Sequence, residues 1–286
     1  EKRARALSIY SLGIPIGSAL GVMAGGYIAA TVDWRLAFLV VGASGLLIAP
    51  LFKWLVRDPV KETATDEGVE APLKFREIVK ILSRKKAFWF LALGAASSSM
   101  LGYGIAFWLP SLLMRSFELD LIETSRFFGA ILLIGGVVGV LGGGMLGDWL
   151  GTKDRAAFGY VPAVAFLLAV PFFAAGIMSR SATIAFPLFL IPQGLAYVWL
   201  GPVLSAVQHL VTAETRATAS ALFLLINNLI GIGGGIFFLG ALSDYLTPIY
   251  GDEGLRYSML ISLVFYVIAA LFMALAARPL RRDWVD

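Results

Sequence analysis

The chain has 286 residues, of which 59% are hydrophobic and only 15% charged, with a mean hydropathy of +0.83 and a formal net charge of +4. A soluble domain covers its surface with about 25% charged residues, so this composition excludes one. No cysteine and a single histidine, His209, leave no basis for disulfides, thiolate or histidine-rich metal sites, or thiol nucleophiles, and no cofactor is implied.

The apolar residues fall in runs long enough to cross a ~30 Å hydrocarbon core as helices, which satisfy their own backbone hydrogen bonds. The ~10-residue alternating segments of an outer-membrane barrel are absent. In chain order the spans read Ala6–Thr31, Leu36–Val56, Ala87–Met114, Phe127–Leu150, Phe158–Met178, Ala182–Val211, Ala217–Ser243 and Tyr257–Ala277. This predicts an all-α membrane protein. An even number of spans puts both termini on one side. Of the 23 Lys and Arg residues, only Arg35, Arg115, Arg126, Arg180 and Arg256 fall opposite the termini. The positive-inside rule therefore places the termini in the cytoplasm, and the net positive charge reports orientation rather than a nucleic-acid partner.

The first span opens Arg3-Ala-Arg-Ala and carries Gly17, Gly21 and Gly25, with Gly26 adjacent, a spacing that permits close helix packing. The second leads into the one long connection, Arg57–Lys86. Its first half, Val60–Pro72, is polar. Its second half spaces Phe75, Ile78, Val79 and Leu82 as an amphipathic helix suited to the anionic inner leaflet. The seventh span opens Arg216-Ala-Thr-Ala and carries Gly231, Gly235 and Gly240, a weak repeat of the first. Six helices separate the two starts, as in two parallel six-helix halves. The expected organisation is 1–56, the last two helices of an N-terminal bundle; 57–86, a cytoplasmic linker; 87–278, a C-terminal six-helix bundle; and 279–286, a cytoplasmic tail. Four helices would then precede Glu1, and the 286-residue chain alone is expected to be inactive in transport.

Polar residues at mid-membrane depth carry the functional signal, because each must find a partner or face a cavity. On the third span Ser99, Tyr103 and Phe107 form a stripe, with Trp108 beside it, within a span that also carries Ser97 and Ser98. The sixth offers Gln193 and Tyr197 on one face, with Trp199 nearby, and the seventh offers Asn227 and Asn228. Ser99, Tyr103, Phe107, Trp108, Gln193, Tyr197, Trp199, Asn227 and Asn228 are the candidate cavity residues; a helix-joining role is the alternative for each. The fifth span is nearly without polar groups, and the second and eighth offer hydroxyls such as Ser44 and Ser262. These three read as lipid-facing.

After the fourth span comes Gly144-Met-Leu-Gly-Asp148-Trp-Leu-Gly151-Thr-Lys153-Asp-Arg155. Gly151 permits a tight turn, Asp148 can meet the positive end of a helix, and Lys153 and Arg155 hold the loop inside. Asp148 is expected to cap the seventh span near Arg216, and Arg155 to pair with Glu214. This pattern resembles the loop signature of the major facilitator superfamily. Gly17–Gly26 is similar to a fifth-helix glycine motif of drug–proton antiporters, but Val22 replaces the expected proline. Gly13–Gly21, Arg57-Asp58-Pro59, Phe107–Ser116 and Ala219–Asn228 resemble Spinster-like lipid transporters.

That resemblance implies the fifth to twelfth helices of a twelve-helix fold, alternating access, and lysolipid- or sphingolipid-like cargo, sometimes proton-coupled. The expected partners are a small amphiphilic substrate, membrane lipids and, as a candidate coupling ion, protons. Drug or organic-ion export is the runner-up. A lipid-modifying enzyme would want a His–carboxylate pair, for which His209 has only Glu214 nearby. A non-transporting scaffold is the other distant alternative.

Overall fold

A computed structural model of the chain describes residues 3–55 and 75–285. Val60–Pro72 and Arg57-Asp58-Pro59 lie outside these residues, as do the side chains of Lys2 and Arg3. Among the described residues there are helices and no strands: α1 (Arg3–Ser11), α2 (Gly13–Thr31), α3 (Trp34–Leu55), α4 (Phe75–Arg84), α5 (Lys86–Ser116), α6 (Leu121–Ala130), α7 (Gly136–Gly151), α8 (Ala157–Met178), α9 (Ala182–Tyr197), α10 (Leu200–Gln208), α11 (Arg216–Tyr250), α12 (Gly254–Ser262) and α13 (Val264–Asp283).

Among the described residues, seven helical segments are long and apolar enough to cross a membrane. The last of these, the 71-residue Ala213–Asp283, doubles back at Gly251. There φ is +58°, a left-handed conformation that glycine adopts without steric cost. Ser258 on the returning arm donates a 2.7 Å hydrogen bond to the Leu239 carbonyl on the outgoing one. Divided there, the described segments give eight apolar helical passes, the number of apolar runs in the sequence.

Several spans are broken rather than straight. Leu12 separates α1 from α2, just before Pro15, and Val198–Trp199 separates α9 from α10, just before Pro202. Proline lacks the N–H that would continue the helical ladder. A five-residue π-helical turn, Ile131–Gly135, joins α6 to α7. The fourth span starts earlier than hydropathy suggested, because Asp120 and Glu123 form a reciprocal cap. Asp120 accepts from the Glu123 N–H at 2.7 Å, and Glu123 accepts from the Asp120 N–H at 3.0 Å.

Glycines set how close the helices come. A Cβ at Gly139 or Gly143 would overlap the backbone of Gly194 or Val198, so α7 and the α9–α10 span touch main chain to main chain. A Cβ at Gly231 or Gly235 would strike Ser99 or the Met100 carbonyl, which brings α11 equally close to α5. The described residues engage the first-span glycines unequally. A Cβ at Gly17, Gly21 or Gly25 meets nothing within 4 Å, and only Gly26, against Ser125, is a contact glycine. The packed face of α2 runs instead through Pro15, Ala19 and Met23. At 100° per residue, Gly17 lies about 200° from Pro15, on the open side.

The amphipathic α4 also departs from expectation. Ile78 and Leu82 are buried, and α4 packs against α5 and α11 instead of offering that face to lipid. Arg76, Lys80 and Arg84 remain exposed on its far side. By contrast α3, packed on α2, has no buried residue.

Candidate substrate cavity and loop motif

Seven of the nine residues expected at a cavity line one cavity of about 600 Å³: Ser99, Tyr103, Gln193, Tyr197, Trp199, Asn227 and Asn228. Periodicity explains why they meet. Ser99 and Tyr103 are one helical turn apart on α5, Gln193 and Tyr197 one turn apart on α9, and the Asn pair faces them from α11. Ser99 Oγ donates to Asn227 Oδ1 at 2.8 Å in a buried contact. The Tyr103 hydroxyl donates to Asn228 Oδ1 at 3.2 Å on an open one. Gln193 and Tyr197 line the cavity beside Tyr103.

Phe107 and Trp108 lie elsewhere. Phe107 continues the Ser99–Tyr103 stripe, but eight residues add about 12 Å of rise and carry it past the cavity, where it is exposed. Trp108 turns toward α11, where its Nε1–H donates to the Ile236 carbonyl at 3.0 Å and its ring covers Gly240. It ties helices together. The lining also includes residues that hydropathy gave no reason to select: Ile14 and Val22 from α2, Phe128 from α6, Leu132 within the π turn, and Phe173 from α8. Tyr266 from α13 also reaches it, so the fifth and eighth spans are not purely lipid-facing. The signal for Phe173 and Tyr266 was aromatic bulk within an apolar helix, which core packing produces equally well. Among the described lining residues none is charged.

The loop motif sits at the end of the molecule where the first span begins. Asp148 accepts from the backbone N–H groups of Ala4 at 3.1 Å and Arg5 at 2.9 Å, so it caps α1 rather than α11. The two helices open with nearly the same sequence, and only the packing of α1 on α7 and α10 selects between them. Gly144 faces Ser8 of α1, which is fully buried and also fills the notch at Gly201. Gly151 lies against the Phe158 ring, and Lys153 sits 4.7 Å above the Trp149 ring.

The guanidinium of Arg155 lies 5.2 Å from the Trp284 ring, on which His209 also stacks at 4.4 Å. His209 Nδ1 is 3.1 Å from the Val285 carbonyl. Arg216 Nε donates to the Gln208 carbonyl at 3.2 Å. Glu214 is held below the usual carboxylate range by a backbone N–H and the Thr212 hydroxyl. Asp154, outside the expected set, is bound by Arg281 and the Ala156 N–H, which hold its carboxyl down at about 2.

A family model, the Major Facilitator Superfamily, matches residues 1–235. An MFS-type efflux pump of Mycolicibacterium smegmatis is 29% identical over the whole chain and 66% of that protein. Protein spinster homolog 3 of Danio rerio is 28% identical over 99% of this chain and 61% of its own length. The chain thus spans about two thirds or less of these curated relatives. Among solved structures, a bacterial homolog to the human lysosomal transporter Spinster, inward-facing and unoccupied, superimposes with a TM-score of 0.78 at 26% identity. That match covers all of this chain and 73% of the other.

Proposed function

The chain belongs to the major facilitator superfamily, and from that premise we propose that it forms the C-terminal eight helices of a secondary transporter for an amphiphilic small molecule. The cavity carries this reading. It is lined by hydroxyls and amides together with apolar and aromatic side chains, and its volume of about 600 Å³ suits a small-molecule ligand. An amphiphile such as a lysolipid or sphingoid matches this mixed lining. The likeness to spinster proteins supports that class of cargo. The likeness to an efflux pump favours the second reading, export of a drug or organic ion, through the same cavity.

In this reading α1–α3 belong to one bundle and α5–α13 to the other, with the loop motif on the cytoplasmic side, where the Lys and Arg residues concentrate. Rocking between the bundles would open and close the seam of α1 and α2 against α6, α7 and α10. Asp148 bridges that seam and serves as its latch. No catalytic role is assigned. Proton coupling in this reading would draw on carboxylates outside this cavity. The reading is tested by reconstituting the full-length protein in vesicles and measuring uptake of a fluorescent lysolipid. Saturable uptake that falls with Trp199→Ala and Leu132→Trp supports it, and uptake indifferent to both substitutions overturns it.

A further inference from the structure

The two side-chain-to-side-chain hydrogen bonds between α5 and α11 are not equivalent. Ser99–Asn227 has the length of a good O–H···O bond, and both residues are almost wholly buried. It is made where Gly231 lets the helices touch. Tyr103–Asn228, at 3.2 Å, lies beyond the usual 2.5–3.0 Å range for such bonds, and the tyrosine is 38% exposed on the cavity side. Burial and length together make the first a permanent tie and the second exchangeable.

We infer that Tyr103 and Asn228 read the polar head of the cargo by opening their mutual bond around it. A group inserted there must accept from the Tyr103 O–H and donate to Asn228 Oδ1. A hydroxyl or a secondary amide does both. An ether or ester only accepts, and a quaternary ammonium does neither. The substrate class is therefore an amphiphile whose uncharged head carries a hydroxyl or N–H. Gln193 and Tyr197 line the neighbouring part of the cavity. This inference rests on the transporter reading and narrows it.

The test compares uptake, by the full-length protein in vesicles, of a fluorescent monoacylglycerol and of its dimethyl ether, which keeps the acceptors and loses the donors. The native protein should prefer the free hydroxyls by about tenfold, the order of one net hydrogen bond. Tyr103→Phe and Asn228→Leu should each erase most of that preference by raising KM. They should leave the melting temperature unchanged, and the double variant should be no worse than either single one. Ser99→Ala and Asn227→Leu, which break the buried tie, should instead lower the melting temperature. Equal uptake of both probes by the native protein, or a preference that survives Tyr103→Phe, overturns the inference while leaving transport intact. No saturable uptake of either probe overturns the transporter reading itself.

Discussion

Removing the Asp148 carboxylate should loosen the first span from the loop end of the bundle. The side chain accepts two backbone N–H groups at the start of α1, at 3.1 and 2.9 Å. It also places a negative charge at the positive end of that helix. Loss of a helix N-cap costs about 1 kcal/mol, and the charge–dipole attraction contributes about 0.3–1 kcal/mol. Asp148→Asn keeps one acceptor and loses the charge, so it should cost about 1 kcal/mol. Asp148→Ala loses everything and should cost about 2 kcal/mol. These convert to roughly 5-fold and 30-fold shifts toward the separated state.

Ser8 gives the readout. It is fully buried between Gly144 and Gly201, its hydroxyl has no hydrogen-bond partner, and the chain has no native cysteine. In a Ser8→Cys background, labelling by a membrane-impermeant maleimide reports how often α1 lifts from α7 and α10. The rate should rise about 5-fold with Asp148→Asn and about 30-fold with Asp148→Ala. Labelling unchanged by either substitution would refute the assignment of Asp148 as the latch.

Three further outcomes are expected. Gly143→Leu places a side chain where the Val198 backbone already lies, so the protein should be recovered poorly or melt well below the native form; native-like melting would contradict the close approach of α7 to the α9–α10 span. Trp284→Ala removes the ring that His209, Phe158 and Arg155 share and should cost about 2 kcal/mol, less than full burial of Trp would imply, seen as lower melting in detergent. Asp154 has its carboxyl held at about 2, below its ordinary 3.8. Its contribution is present above the ordinary value and lost as pH falls through the lower one. Melting should therefore decline from about pH 4 toward pH 2, and Asp154→Asn should flatten that decline.

The spans and the polar layer were legible because lipid leaves a sequence few options. An amide at mid-depth needs a partner, so Gln193, Asn227 and Asn228 announced themselves, and helical periodicity placed Ser99 and Tyr103 beside them. What periodicity does not carry is an absolute rotation or an end point. Gly17, Gly21 and Gly25 form a stripe, but only packing reveals that α2 uses Pro15, Ala19 and Met23 instead. Phe107 belongs to the right face at the wrong height. Phe173 and Tyr266 reach the cavity through tertiary packing of α8 and α13, which no local pattern encodes. Asp148 had two near-identical helix starts to choose from, and tertiary contact with α7 and α10 decides for α1.

The central claim is that the space between α2, α5, α9 and α11 holds an amphiphilic cargo. Photo-crosslinking tests it most directly. A lysolipid with a diazirine at the end of its acyl chain and a second with the diazirine at its head would be activated on the full-length protein in vesicles. The head probe should label the peptides containing Tyr103 and Asn228, and the chain-end probe those containing Phe128, Leu132 or Phe173. An excess of unlabelled lysolipid should suppress both. Labelling confined to the exposed face of α3, and undiminished by competitor, would contradict the account.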